Sequence, residues 1–326
     1  MNKEILNLMN KDVLIEAAKK YNTTIWSLKF IGNNQNFVYE YTKKNIDYIL
    51  RITHSSHRNE QQILGELEWI LYLSEHEIKV SKPVYSKNEF LIERIDIDNG
   101  YFIVTSFEKA IGKKLLYPEF INNELVYERC GRLTGKIHAL SKNYISLEMG
   151  KRNDWTQNFY LKSITKDNNL FREYNLVKDE LRNLKKDKNN FGLIHGDINL
   201  GNFFVNQSQI TLFDFDECQY SWFIEDIAIQ LFYATYIFLD DSIDEREKCA
   251  AKFIKYFMKG YCTENNIDDN EIMHIPIFLR LREIIVYRGM QLNFNMNELN
   301  GWTKDYAKQS KSRIEKQIPL IRNIFH

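Results

Sequence analysis

The hydrophobic pattern changes from a helical period to a two-residue period within the first hundred residues. Apolar residues recur at helical spacing over 4–20, which predicts an opening helix, and again over about 58–74. Elsewhere in this part, alternating β-branched and aromatic residues predict strands. The predicted strands are Ser27–Ile31, Phe37–Thr42, Asp47–Ile52, a further hairpin of Val84–Tyr85 with Glu89–Glu93, and Tyr101–Phe107.

Beyond residue 112 the pattern becomes mainly helical. The longest apolar run, Ile227–Leu239, contains Gln230 and lies between acidic residues. It predicts a buried helix, because it is too short to span a membrane. The strand signals in this part are Gly192–His195, Phe203–Val205 and Ile210–Phe213. Strands followed by helices predict an α+β fold with two lobes and a hinge at about 108–112.

Composition narrows the class of protein. The chain has 326 residues, enough for two lobes, and its 44 basic residues balance its 44 acidic residues. Since no net charge attracts nucleic acid or an anionic membrane, neither is expected as a partner. The four cysteines have no metal-binding spacing, and the charged N-terminus does not resemble a signal peptide. A cytoplasmic protein with reduced thiols is therefore expected.

Catalytic chemistry is indicated by the segment Leu193–Cys218. It contains the tripeptide HGD at 195–197, then Asn202, then an apolar strand that ends in the tripeptide DFD at 214–216. Any one of these polar residues would more simply be a turn former or a strand-end cap. Together they supply the carboxylates and the amide that phosphoryl transfer from a magnesium nucleotide requires.

This segment resembles the aminoglycoside phosphotransferase and choline kinase family, whose fold is similar to that of the protein kinases. HGD and Asn202 match the kinase pattern H-R-D-x-x-x-x-N, and DFD stands where protein kinases carry D-F-G. The two substitutions favour the small-molecule kinases over the protein kinases. The resemblance implies a bilobal protein-kinase-like fold. Its small antiparallel-sheet N-terminal lobe, residues 1–107, would bind nucleotide, and its mainly helical lobe, residues 108–326, would carry catalysis and substrate binding.

The resemblance also implies roles for individual residues. Asp197 would accept the proton of the acceptor hydroxyl, while Asn202 and Asp214 would hold Mg²⁺. Asp226 matches an element that braces the catalytic loop, although it could equally be the N-cap of the following helix. His195 is expected to order the loop rather than to act as acid or base.

The resemblance places phosphate binding in the N-terminal lobe. The chain has neither a Walker A loop nor G-x-G-x-x-G. The nearest match, Gly131–Lys136, has the wrong spacing and lies in a helical pattern. The hairpin tip from Gly32 to Asn36 is the remaining candidate for covering the phosphates with backbone N–H groups. By resemblance, Arg51 is the cation that binds phosphate.

The partner of Arg51 and the adenine site follow from the same resemblance. A carboxylate on the next helix should orient Arg51. The candidates are Glu66, which is favoured, and the alternatives Glu60 and Glu68. The hinge would bind adenine through the Glu108 carbonyl and the Ala110 N–H. ATP is the expected donor, with GTP as an alternative.

The acceptor is expected to bind in the helical part, beyond Asp197. Residues 214–300 contain 16 Asp and Glu against 8 Lys and Arg, which favours a cationic, amino-bearing acceptor. Aromatic side chains could face such a cation. The aromatic candidates are Tyr220, Trp222, Phe223, Tyr233 and Tyr236. Arg280, Arg282 and Arg288 leave open an acidic acceptor, or they could simply form helix ion pairs.

The sequence therefore predicts an ATP- and magnesium-dependent kinase that acts on a small-molecule hydroxyl. An aminoglycoside, choline or another amino alcohol, homoserine and a sugar all remain open as acceptors. The alternatives are a Ser/Thr protein kinase of the same fold and a non-catalytic nucleotide-binding protein. The complete set of Asp197, Asn202 and Asp214 argues against the non-catalytic alternative. The oligomeric state is not predicted.

Overall fold

A computed structural model describes residues 3–147, 151–165, 169–207 and 209–322. The chain divides into two compact units. The first comprises Met1–Ile111, Ile145–Arg152 and Thr211–Asp216, and the second comprises Gly112–Tyr144, Asn153–Ile210 and Glu217–His326. An antiparallel sheet dominates the first unit and helices dominate the second, which confirms the predicted α+β class. The assignment of nucleotide binding to residues 1–107 and of catalysis to residues 108–326 stays a prediction.

The first unit is built on an antiparallel sheet with the strand order β1-β2-β3-β6-β4, in which β5 also pairs with β6. Its elements are α1 (Lys3–Leu8), α2 (Lys11–Lys20), β1 (Lys29–Gly32), β2 (Phe37–Lys43), β3 (Ile46–His54), α3 (Glu60–Glu75), β4 (Pro83–Val84), β5 (Glu93–Ile97) and β6 (Gly100–Glu108). The core of this unit lies between the sheet and α2. It includes Ala17, Leu50, Ile52, Phe102 and Val104.

Two of the local predictions for this unit are wrong. The opening helix is two helices, because the Asn10 side chain accepts the N–H groups of Asp12 and Val13 and so begins α2. The strands β4 and β5 do not pair with each other, since both pair with β6. The positive φ of Gly100, 112°, allows a tight turn that folds β6 back onto β5 instead.

The second unit is mainly helical. Its elements are α4 (Tyr117–Phe120), α5 (Glu124–Ser141), α6 (Phe159–Lys162), α7 (Asn169–Arg182), β7 (Phe191–Ile194), β8 (Phe203–Asn206), β9 (Gln209–Leu212, whose end belongs to the first unit), β10 (Gln219–Trp222), α8 (Phe223–Thr235), α9 (Ile243–Tyr261), α10 (Asp269–Ile272), α11 (Ile275–Asn293) and α12 (Gly301–Lys316). The apolar run that predicts a buried helix lies largely in α8, which is buried along almost its whole length. Strand β10, which pairs with β7, was not predicted.

Helices α5 and α9 pack closely through glycine. A Cβ atom on Gly131 would lie 1.9 Å from the carbonyl oxygen of Phe257, so no other residue fits there. The Gly131–Lys136 segment lies inside α5, which confirms that it is not a phosphate-binding loop. The four cysteines, all within the described ranges, form no disulfide. In the part of the chain that the structure describes, no helix combines the length and the apolarity needed to cross a membrane.

Candidate active site

Asp197 lies in the loop between β7 and β8, where neighbouring amides hold its carboxylate. Its Oδ2 atom accepts from the Nδ2 atoms of Asn199 and Asn202, at 3.1 and 3.0 Å. Its backbone carbonyl accepts from the same two atoms, at 3.1 and 2.9 Å. The side chain is still 23% exposed. The carboxylate is therefore fixed in orientation and remains accessible to a substrate.

Asn202 is buried, and its amide nitrogen donates to the backbone carbonyl and to the carboxylate of Asp197. Because Nδ2 faces Asp197, the Oδ1 atom is the one that can face a cation. An amide oxygen is a hard ligand of the type that Mg²⁺ prefers. Asn199, which the sequence analysis missed, stabilises the same loop by accepting the N–H of Gly201 at 2.7 Å.

Asp226 braces the loop of Asp197 from α8. Its carboxylate accepts the backbone N–H groups of His195 and Gly196, at 3.0 and 2.8 Å. Since α8 begins at Phe223, after the cap residue Trp222, the alternative that Asp226 caps this helix is wrong. Burial alone would raise the pKa of Asp226, but the hydrogen bond from His138 and the donors of the loop lower it.

The histidine and the glycine of the HGD tripeptide shape the loop. The Nδ1 atom of His195, which is fully buried, accepts the N–H of Asp197 at 3.2 Å. Gly196 has a φ of 80°, and a Cβ atom there would lie 2.4 Å from the carbonyl oxygen of Glu217. Only glycine fits this position without strain, so the backbone of this chain determines the middle residue of the tripeptide.

Arg282 on α11 contacts Asp197, which the sequence analysis did not foresee. Its guanidinium donates to Asp197 Oδ1 and to the Tyr233 hydroxyl, the latter at 2.6 Å. Arg280 instead pairs with Glu173 at 2.6 Å, and Arg288 donates to the carbonyl oxygen of Ser163. A signal was present in the sequence, because Arg282 lies at helical spacing from Phe278 and Ile285 on the buried face of α11.

In the first unit, Arg51 and Glu66 form a buried bidentate pair. Arg51 Nη1 lies 2.7 Å from Glu66 Oε1, and Nη2 lies 2.9 Å from Oε2. The two residues are 5% and 0% exposed. Burial alone would lower the pKa of Arg51, but the charge and the hydrogen bonds of Glu66 raise it. Glu60 contacts Arg94 instead, at 3.0 Å.

The DFD tripeptide places its two aspartates in different environments. Asp214 follows β9 with a φ of 62° and an exposed side chain. Asp216 is buried and contacts His57 Nε2 at 2.8 Å and Arg58 Nε at 3.6 Å. Burial would raise the pKa of Asp216, but Arg58 and His57 hold it well below its usual range. The sequence analysis assigned no role to Asp216, which is a structural anchor of this unit.

The remaining nucleotide candidates lie at the hairpin tip and at the end of β6. Gly32 ends β1, next to an irregularity in its pairing with β2. Asn36 closes the tip by accepting from Thr53 Oγ1 at 2.7 Å. Glu108 ends β6 and donates its N–H to the Lys82 carbonyl, while Ala110 follows outside the strand. Contacts of Gly32, Glu108 and Ala110 with a nucleotide stay a prediction.

Glu225, next to Asp226 in the first turn of α8, is a buried carboxyl group. It accepts from Gln219 Nε2 at 3.2 Å and from the Ser221 hydroxyl. Burial raises the pKa of Glu225 to about 7, and the hydrogen bond from Ser221 offsets this only in part. The native state therefore binds a proton at pH values where an unfolded chain has released it.

We expect the Glu225→Gln variant to reveal this proton as a pH dependence of stability. Between pH 4.5 and about 7 the native carboxyl is protonated and the unfolded one is ionised. The contribution of Glu225 is thus fully present below pH 4.5 and is lost as the pH rises through 7. Relative to the variant, the wild-type free energy of unfolding should fall by roughly 3 kcal/mol over this range. Urea denaturation of both proteins from pH 4.5 to pH 8 measures the difference.

The matched control is Glu245→Gln, which changes an exposed glutamate in the first turn of α9. Any pH dependence that this variant shares with Glu225→Gln comes from the loss of a glutamate as such and not from burial. A pH-independent difference for Glu225→Gln would contradict the buried-proton interpretation.

Comparison with known proteins shows the family of the chain. A sequence model of the phosphotransferase enzyme family matches residues 27–264. Amicoumacin kinase of Bacillus subtilis (strain 168) is 34% identical over 327 residues, which cover 98% of this chain and 96% of that protein.

Solved structures show the same relationship. Amicoumacin kinase hAmiN, in complex with AMP-PNP, Ca²⁺ and Ami, superposes with a TM-score of 0.89 at 32% identity and covers 98% of each chain. The microcompartment-associated aminopropanol kinase superposes with a TM-score of 0.72 at 19% identity, over 95% of this chain and 98% of that one, which shows a common fold. The predicted kinase-like fold and the predicted enzyme class are both confirmed. The chain belongs to the phosphotransferase enzyme family.

Proposed function

We propose that this phosphotransferase transfers the γ-phosphoryl group of ATP to a hydroxyl of an amine-bearing small molecule, with magnesium as the metal. The observation that carries the proposal is the fixed yet accessible carboxylate of Asp197, held by Asn199 and Asn202. The 34% identity to amicoumacin kinase over nearly the whole chain favours an acceptor of that chemical class.

Asp197 is proposed as the group that orients and deprotonates the acceptor hydroxyl. The O–H bond of the acceptor breaks and its proton passes to the carboxylate. The acceptor oxygen then bonds to the γ-phosphorus as the bond from phosphorus to the leaving oxygen of ADP breaks. Asp226 and His195 keep the loop in place during the transfer.

Magnesium binding is assigned to Asn202 and Asp214 on the family motif. The donor set fits the ion, since it offers an amide oxygen and an exposed carboxylate. The described ranges contain no cluster of three or more His, Cys, Asp or Glu suited to a metal. Bound magnesium would neutralise charge on the phosphate oxygens.

Arg51 is proposed to bind the phosphates of ATP. Glu66 takes one N–H from each terminal nitrogen of the guanidinium and leaves the other N–H groups for a second anion. The backbone at Gly32 would cover the phosphates. The Glu108 carbonyl and the Ala110 N–H would bind adenine; a guanine base remains the alternative.

The aromatic residues that suit a cationic acceptor differ in part from those that the sequence suggested. Trp222 and Phe223 are buried in the core and are excluded. The face of Tyr233 already receives Arg282, whose guanidinium lies 5.0 Å from the ring centre. Tyr236 is half-buried and packs against the rings of Tyr117 and Trp302, with 5.8 and 5.5 Å between the ring centres. We propose that the rings of Tyr117, Tyr236 and Trp302 form the wall that contacts the cationic group of the acceptor.

An acidic acceptor is less favoured by the structure. Of the three arginines that raised this alternative, Arg280 and Arg288 bind side chains and backbone of their own unit, and Arg282 binds Asp197. None of these three guanidinium groups is therefore left to bind a carboxylate of the acceptor. A cytoplasmic location, where ATP is present, fits the proposal.

The test is acceptor-dependent release of ADP, measured with purified protein, ATP and Mg²⁺ over a panel of compounds. The panel contains amicoumacin, an aminoglycoside, choline, 1-amino-2-propanol, homoserine, a neutral sugar and a serine-containing peptide. We expect turnover with at least one amine-bearing alcohol and loss of turnover when EDTA removes the metal. The matched control is the uncharged analogue of the best acceptor, which is its N-acetylated form or, for choline, 3,3-dimethyl-1-butanol, and it should react much more slowly. Turnover confined to the sugar or the peptide would contradict the proposal.

A further inference from the structure

The two oxygens of the Asp197 carboxylate have different partners. Oδ2 accepts two amide N–H groups, from Asn199 and Asn202, which occupy both of its lone pairs. Oδ1 accepts from Arg282. One lone pair of Oδ1 is therefore left for the hydroxyl of an acceptor.

Arg282 is itself held from several sides. The residue is 7% exposed, and its guanidinium also reaches the carbonyl oxygen of Gly196, at 3.4 Å. The Tyr233 hydroxyl accepts from its Nη2 atom at 2.6 Å. Burial would lower the pKa of Arg282, but Tyr233 and Asp197 raise it, so the side chain stays charged.

The helix that carries Arg282 is anchored at the next residue. Glu283 on α11 accepts from the Nη2 and Nε atoms of Arg313 on α12, at 2.7 and 2.9 Å. Both residues are almost fully buried. The position of Arg282 along α11 is thus fixed by packing and by a buried hydrogen bond between Glu283 and Arg313.

We propose that Arg282 is a positioning residue that orients Asp197 so that its Oδ1 atom receives the proton of the acceptor hydroxyl. The inference rests on the proposed function of Asp197 as the base. In the transfer, the acceptor O–H bond breaks, its proton passes to Oδ1, the acceptor oxygen bonds to the γ-phosphorus, and ADP leaves with the electrons of the broken P–O bond. Arg282 exchanges no proton and instead holds the carboxylate at the angle that this transfer requires.

An arginine suits this position better than a lysine. Its planar fork can reach Asp197, Tyr233 and the Gly196 carbonyl together, whereas an ammonium group has a different geometry. Tyr233 has a supporting role, because its hydroxyl and its ring both face the guanidinium.

The experiment compares wild type with Arg282→Ala, Arg282→Lys and Tyr233→Phe. We expect Arg282→Ala to lower kcat by about 10²-fold, the loss that a small misplacement of a reacting group produces. The KM for ATP and the nucleotide affinity should change little. Millimolar guanidinium chloride should restore part of the lost turnover in Arg282→Ala and none in Arg282→Lys. Tyr233→Phe should lose less than Arg282→Ala.

The matched control is Arg280→Gln, which removes an arginine from the same helix and breaks a contact with the buried Glu173. It should lower Tm and leave kcat unchanged, so it separates loss of stability from loss of alignment. If Arg282→Ala does not fold, Arg282→Lys and Tyr233→Phe carry the test through their kcat.

Two outcomes would overturn the inference. One is wild-type kcat in the Arg282 variants while Asp197→Asn is inactive, which would leave the base assignment intact and remove the positioning role alone. The other is a loss in Arg282→Ala that guanidinium does not rescue and that Arg280→Gln reproduces, which would make Arg282 merely structural. Wild-type turnover in Asp197→Asn would instead refute the proposed function from which the inference starts.

Discussion

The Asp197→Asn variant is expected to turn over about 10²–10⁴-fold more slowly than wild type. Asparagine keeps the size and shape of the side chain, and its amide oxygen can still accept a hydrogen bond in the loop. It cannot take up the proton of the acceptor hydroxyl, so the expected loss is in kcat. The measurement is acceptor-dependent ADP release at saturating ATP and acceptor, together with nucleotide affinity by calorimetry. The affinity should change little, because Arg51 and Asp214 are unaltered.

Asp179→Asn is the matched control for this change. Asp179 is 69% exposed and pairs with Arg182 on the surface of α7, so it should have wild-type kcat. Comparable Tm values for the two variants would show that the loop of Asp197 still folds. Undiminished kcat in Asp197→Asn would show that another group takes the proton.

The reach of sequence reasoning is clearest at the HGD loop. Its residues, their spacing and the strands that flank them follow from a short segment, because a short apolar strand is recognised from local alternation alone. The brace that holds the loop does not follow in the same way. Asp226 lies in the first turn of a helix, where an aspartate is common for electrostatic reasons alone. The resemblance suggested the brace but left the cap equally open, and the hydrogen bonds to His195 and Gly196 decide between them.

Arg282 shows a limit that distance along the chain imposes. It lies 85 residues from Asp197, and periodicity along α11 places it on the buried face without naming its partner. Which polar group meets a buried arginine depends on how the helices pack, and that information is not local. From the pattern of charges, the arginines of α11 could bind an acidic acceptor or form ion pairs within the helix. Only the contacts between helices could test these two alternatives.

Strand β10 was missed because its buried side is polar. Gln219 and Ser221 point into the protein, where Glu225 accepts their hydrogen bonds. A search for alternating apolar residues cannot find such a strand, since the polar groups are satisfied by a helix that follows it in sequence. Burial, and not this contact, raises the pKa of Glu225, since the hydrogen bond from Ser221 lowers it in part.

The Glu66→Gln variant is expected to lower the free energy of unfolding by about 3–5 kcal/mol, because it leaves the charge of Arg51 buried without its partner. Urea denaturation measures the change. Glu60→Gln is the matched control on the same helix. Glu60 and its partner Arg94 are 37% and 48% exposed, so that change should cost only about 0–1 kcal/mol. Equal losses in the two variants would contradict the difference in burial.

A double variant separates the two roles of the pair. Arg51→Met combined with Glu66→Leu replaces both charges with apolar groups of similar size, so stability should return close to the wild-type value. Nucleotide affinity should not return, because no guanidinium remains to bind phosphate. If the pair were only structural, the stabilised double variant would bind ATP with wild-type affinity and turn over normally. If Arg51 binds phosphate, the protein will be folded, stable and nearly inactive, a combination that no loss of packing can produce.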